Sequence, residues 1–212
     1  MRLRNKKNAT VIVNESDYII KSPKEYKGNW KNIFNNDNEI HIEIGMGKGT
    51  FIINMAKNNP NINYIGIEMY DSVIVSAVNT LNQLEDKIPN LRLIRMDATE
   101  ITEVFDKEIS RIYLNFSDPW PKAKHAKRRL TSKEFLTRYD NIFINNKVIF
   151  QKTDNNDLFE FSMDSLEEHG YMLKNVTRDL YSNMIEGNIA TEYETKFSKQ
   201  CININRLEAY KD

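Results

Sequence analysis

The chain has 212 residues, 30 basic against 30 acidic, and a single cysteine. That length suits one α/β unit with a full core, and the balanced charge leaves any nucleic-acid signal to local clusters. Cys201 alone excludes an internal disulfide framework and suits a reducing cytoplasm. No apolar run approaches the roughly 18 to 20 residues of a membrane span. The start MRLRNKKNA lacks the apolar core of a secretion signal, so a cytoplasmic chain with no membrane partner is expected.

Residues 1–38 are polar, rich in Asn and Lys, and broken by Pro23 and Gly28. They read as an N-terminal arm with a short helix at WKNIF, residues 30–34, leading into the core. Arg2, Arg4, Lys6 and Lys7 make its tip either a solvated terminus or a phosphate contact. In EIHIEIGMGKGTFIINMAKNNP, residues 39–60, Ile40, Ile42 and Ile44 alternate with His41 and Glu43. A tight turn follows, then a helix ending before Pro60. Gly45, Gly47 and Gly49 let the backbone pass close to a ligand at the helix start. The turn departs from the dinucleotide fingerprint because Thr50 stands where a third glycine is needed. It departs from a P-loop because no Ser or Thr follows Lys48.

A second strand, NINYIGIE, ends at Glu68, about 20 residues after the glycines, where a ribose-binding carboxylate is expected. Residues 70–84 carry apolar positions at helical spacing, and the strand LRLIRM ends at Asp97. That acid either caps the next helix or meets the adenine edge of a nucleoside cofactor. The strand RIYLNF runs into NFSDPWPKAKHAKRR, residues 115–129. There Asp118 lies between a strand end and two prolines, and Lys122, Lys124, His125, Lys127, Arg128 and Arg129 crowd the positions after it. An acid beside dense cations reads as a reaction centre meeting a polyanion. Trp120 either stacks on a base or packs against the sheet. TSKEFLTRYDNIF is a capped helix, VIFQK a strand, residues 157–169 a helix ended by Gly170, and YMLKNVTRDLY a further strand. GNIATEYE, 187–194, reads as a polar loop before the strand-like CININRLEAY, with Cys201 a small buried apolar residue. Nothing has metal-ligand spacing. Strands alternating with helices up to about residue 170, then hairpin-like strands, define an α/β chain with a mainly parallel sheet. One domain over residues 1–212 is expected.

EIGMGKG, Glu68, FSDPWPK with its basic run, KTDN at 152–155 and TEYE at 191–194 together resemble the bacterial tRNA (guanine-N7)-methyltransferase family. The similarity runs from about residue 39 to the end, and the MRxR start also looks like that family. The resemblance implies a Rossmann-like class I methyltransferase, with a seven-stranded sheet, an antiparallel last strand, S-adenosylmethionine as cofactor and tRNA as partner. It implies that Glu43 and the turn Gly45, Gly47 and Gly49 line the methionine end, with Glu68 at the ribose and Asp97 on the adenine side. Asp118 then stands between cofactor and base as the catalytic residue. Lys122, Asp154, Thr191, Glu192, Tyr193 and Glu194 fall on the substrate side, and Lys124 to Arg129 lie along the RNA backbone. The chain departs from the family in Ala123 and Ala126, which thin the basic run, and in Asn145-Asn146, which replace a glycine-containing turn and are expected to use the left-handed tolerance of Asn. Two other readings stay open: a methyltransferase for another substrate, and a non-catalytic RNA-binding protein on the same scaffold. An NAD-linked oxidoreductase is disfavoured by Thr50.

Overall fold

The alternating isoleucines of residues 40–44 form an interior strand of a seven-stranded sheet. The computed structural model describes residues 8–183, 188–198 and 200–212. In chain order the elements are α1 (Ala9–Glu15), α2 (Lys31–Phe34), β1 (Ile40–Ile44), α3 (Thr50–Asn58), β2 (Asn63–Glu68), α4 (Asp71–Asn82) and β3 (Leu91–Arg95). They continue with α5 (Ile101–Val104), β4 (Ile109–Asn115), α6 (Lys133–Asp140), β5 (Lys147–Thr153), α7 (Asn156–Glu168), β6 (Met172–Thr177), α8 (Glu192–Ser198) and β7 (Asn205–Lys211). The strand order is β3-β2-β1-β4-β5-β7-β6. The first five of these pair in parallel, and β7 runs antiparallel to both β5 and β6. The order reverses at β1, so the carboxyl ends of β1 and β4 flank the crevice where an open α/β sheet binds its ligands.

Both faces of the sheet are covered, and strand periodicity divides the side chains between two cores. Ile40, Ile42, Ile44, Ile112, Leu114 and Ile149 face one core with α5, α6 and α7. Tyr64, Leu91, Leu93 and Tyr113 face the other with α1, α3 and α4. Close packing explains two glycines. A Cβ on Gly66 would sit 2.3 Å from Met46 Sδ, and one on Gly49, at φ +79°, would sit 2.7 Å from Ala77 Cβ.

From residue 8 onward the N-terminal segment is packed rather than free-standing. Ala9 and Val13 are buried in the second core and Trp30 is wholly buried in the first. Glu108 anchors this segment by accepting from the backbone N–H of Gly28 (2.9 Å) and Trp30 (2.8 Å). The basic tip, Arg2 to Lys7, lies outside the described residues. Three further expectations are corrected. TEYE is not loop, because Glu192 begins α8. Cys201 is exposed, in a turn at φ +55° where its small side chain has no core to enter. Neither Asn145 nor Asn146 takes positive φ, so their turn does not use the left-handed region.

Candidate active site

The loop between β1 and α3 forms a cradle of backbone. Gly45, Gly47 and Gly49 have φ of +75°, +58° and +79°, and a Cβ at Gly45 or Gly47 would point into open space. Two carboxylates border it. Glu43, near the end of β1, is buried; Oε1 accepts from Asn115 Nδ2 at 2.9 Å, whereas Oε2 has no partner. Burial pushes its pKa up to about 8, against the opposing hydrogen bond from Asn115 and the charge of Lys152. Glu68 ends β2 and accepts from the N–H groups of Gly47 (3.2 Å), Met69 (2.9 Å) and Tyr70 (3.1 Å). Burial raises its pKa too; those three N–H donors oppose the rise and the nearby charge of Asp118 adds to it. Beyond Glu68, a cleft of about 580 Å³ is lined by Ser22, Pro23, Met69, Met96, Asp97 and Glu100. Asp97 also caps the following turn, its Oδ1 accepting from Thr99 N and Oγ1 at 2.8 and 2.7 Å.

At the carboxyl end of β4 the chain turns sharply. Phe116 (φ +51°) and Trp120 (φ +44°) both lie in the left-handed region, which costs a bulky L-residue about 1 to 2 kcal/mol and persists only where surrounding structure imposes it. Between them Asp118 is exposed, and its carboxylate has no protein partner among the described residues. The basic run then forms a 3₁₀ helix, Ala123–Arg128. Lys122, Lys124 and Lys127 are exposed. Arg128 lies 4.9 Å over Trp120, against whose edge His125 also packs at 5.8 Å. Trp120 therefore packs on its own loop rather than on the sheet. Arg129 is turned inward: Nε donates to the Pro119 carbonyl (3.0 Å) and Nη2 to that of Trp120 (3.2 Å).

The third wall is α8, held by buried charge. Thr191 and Glu194 form a reciprocal capping box, with Glu194 N to Thr191 Oγ1 at 2.9 Å and Thr191 N to Glu194 Oε2 at 3.3 Å. Glu194 Oε2 also accepts from Lys152 Nζ at 2.8 Å, where both side chains are buried. Lys152 completes its donors on Asn188 Oδ1 and the Ile189 carbonyl. Burial lowers the Lys152 pKa, which its pairing with Glu194 opposes. Glu192 pairs with Lys48 of the glycine turn, and the exposed Tyr193 ring stacks on Phe116 at 5.7 Å. Asp154 is exposed just past β5 and has no protein partner among the described residues.

The family model described as "Putative methyltransferase" matches residues 37–207. A protein of Lysinibacillus sphaericus (strain C3-41) named tRNA (guanine-N(7)-)-methyltransferase is 52% identical over 212 residues, covering 99% of this chain and 97% of that one. One of the same name from Lachnoclostridium phytofermentans is 50% identical over 214 residues, covering 100% and 99%. The chain belongs to the tRNA (guanine-N7)-methyltransferase family. The solved structure of an antibiotic-related methyltransferase, 16% identical, superposes with a TM-score of 0.62 over 86% of this chain and 92% of that one; that likeness concerns the class I methyltransferase fold.

Within this family member the expected residues fall into three settings. Glu43, Gly45, Gly47, Gly49 and Glu68 lie at and after the ends of β1 and β2, Asp97 lines the cleft beyond β3, and Asp118, Lys122, Lys124, Lys127 and Asp154 are exposed in the segments that follow β4 and β5. Thr191 and Glu194 are buried, so they build the wall that presents Glu192 and Tyr193. Lys152 was missed because an interior lysine in a strand carries no signal until its partner, 42 residues on, is known. The T-x-x-E spacing of the capping box was available in the sequence and marks the start of α8. Among the described residues no His, Cys, Asp and Glu cluster could hold a metal ion, and no helix is long and apolar enough to cross a membrane.

Proposed function

We propose that this protein transfers a methyl group from S-adenosylmethionine to N7 of a guanosine in the variable loop of tRNA. The observation that carries the reading is the exposed, unpaired carboxylate of Asp118. Its charge reaches Glu68 beside the glycine cradle and a run of exposed lysines follows it in sequence, in a chain about half identical to proteins named for this activity. The cradle fits the cofactor. Glu43 Oε2 is a buried acceptor lacking a donor, suited to the methionine ammonium, and Gly45 and Gly47 leave space for its backbone. In this reading Glu68 takes the ribose hydroxyls and the cleft lined by Asp97 takes the adenine. When bound, S-adenosylmethionine supplies a sulfonium-activated methyl group.

Guanine N7 is an unprotonated acceptor, so the protein needs no general base and its task is alignment, a contribution of up to about 7 to 11 kcal/mol. Asp118 accepts from the N1–H and N2–H₂ edge, which adenine does not offer, and so both places and selects the base. N7 lies in the deep major groove of A-form RNA, which favours a loop nucleotide swung out of its stack. Phe116 and Tyr193 offer a stacking surface beside Asp118, Asp154 and Glu192 lie around it, and Lys122, Lys124 and Lys127 face the phosphates. Incubation with labelled S-adenosylmethionine and unmodified tRNA is expected to yield 7-methylguanosine after digestion. Label confined to another nucleoside, or no label, rejects the reading.

A further inference from the structure

We infer that Arg129 is a positioning residue: it clamps the Asp-Pro-Trp-Pro turn so that Asp118 is presented at a fixed place, rather than binding RNA phosphate. The inference rests on the assignment of Asp118 as the base-positioning carboxylate. Arg129 reaches back across the turn to bind two successive carbonyls, Pro119 O through Nε at 3.0 Å and Trp120 O through Nη2 at 3.2 Å. Its guanidinium lies 4.3 Å over the Phe161 ring of α7, so it is fixed from below by the core-facing helix. Its own backbone is held on both sides: Arg129 N donates to Ala126 O at 3.0 Å, and Ser132 N donates to Arg129 O at 2.9 Å.

The turn needs such a clamp. Prolines at 119 and 121 offer no N–H for a turn hydrogen bond, and Phe116 and Trp120 sit at positive φ on either side of Asp118. Among the described residues the other backbone hydrogen bond to the turn is at the strand end, Phe116 N to Lys152 O at 2.8 Å, while the Trp120 ring also meets Arg128 and His125. A planar fork bonds two adjacent carbonyls at once, which a lysine ammonium cannot do in the same geometry. The neighbours behave differently: Lys122 and Lys124 have exposed side chains with no protein partner among the described residues.

Arg129→Lys keeps the charge and removes the fork, so it separates the two roles. At saturating tRNA its single-turnover methylation rate is expected to fall at least tenfold, while the tRNA Kd and its salt slope stay within twofold. On an Asp118→Asn background the same change should cost less than twofold, because the residue acts through Asp118. Lys124→Ala is expected to show the reverse, a weaker Kd and flatter salt slope. Loss of the clamp should also raise acrylamide quenching of Trp120 in a Trp30→Phe protein, a readout that does not depend on turnover. Should Arg129→Lys fail to fold, Phe161→Leu removes the ring beneath the guanidinium and should move the same readouts by a smaller factor. A wild-type rate in Arg129→Lys with unchanged quenching overturns the inference, as does Arg129→Gln with a weakened, salt-flattened Kd and an intact saturated rate. A wild-type enzyme that makes no 7-methylguanosine sinks the functional reading instead, and the quenching result still decides the clamp.

Discussion

The two halves of the crevice are built by different means. The half around β1, β2 and β3 uses backbone, with three glycines at positive φ, N–H groups on Glu68 and carboxylates at consecutive strand ends. The half around β4, β5 and α8 uses side chains brought together over long separations: Lys152 with Glu194, Lys48 with Glu192, Phe116 with Tyr193. A backbone cradle tolerates substitution of its neighbours, because its geometry comes from φ and ψ. Where such a pair is buried, as Lys152 and Glu194 are, losing either partner strands a charge in the interior.

The sharpest break in that contrast is Asp118→Ala. It should lower the saturated methylation rate by about 100-fold, as misplacement of a reacting group does, while cofactor affinity measured by calorimetry stays within a few-fold. Next is Glu194→Gln, which strands the Lys152 ammonium in the interior. A loss of about 3 to 5 kcal/mol is expected, read by denaturant unfolding, and Thr153 to Asn155 should exchange amide hydrogens faster.

The cofactor half is tested through protons. Burial raises the Glu43 carboxyl from 4.5 to about 8, so its contribution to stability is complete below about pH 4.5 and is lost as pH rises through 8. Glu43→Gln should therefore flatten the fall in stability across that window. A cationic ligand beside Glu43 favours its ionised form, so binding S-adenosylmethionine at pH 7 should release up to one proton in the wild type and none from this site in Glu43→Gln. Calorimetry in buffers of different ionisation enthalpy reads that difference. Replacing Lys122, Lys124 and Lys127 with Ala should reduce the salt slope of tRNA binding by about 2 to 3. The smallest effect belongs to the exposed Lys48–Glu192 pair: Glu192→Gln should change stability by less than about 1 kcal/mol, and a larger loss would mean that α8 is held from outside as much as from within.

The same division governs what could be read in the residues alone. Ile40 to Gly49 and Asn63 to Glu68 announce strand, turn and acid because each signal is local and periodic, and the parallel order follows from alternation with helices. Asp118 and its cations were visible as a run. The inward turn of Arg129 and the burial of Lys152 were not, since each depends on a partner brought near by the fold. The helix at WKNIF does lead into the core, where Trp30 is wholly buried beside Phe105 and donates from Nε1 to Val104 O.

The place of β7 in the sheet has a consequence for the order of events in synthesis. It comes after the other six strands in the chain, yet among the described residues it is the sole sheet neighbour of β6 and the outer neighbour of β5. A nascent chain can lay down five parallel strands and the glycine cradle while Asn205–Lys211 are still in the ribosome. The edge of β5 then waits uncovered, and β6 has nothing to pair with. Arrest short of Asn205 should leave β6 open to protease while β1 to β4 resist.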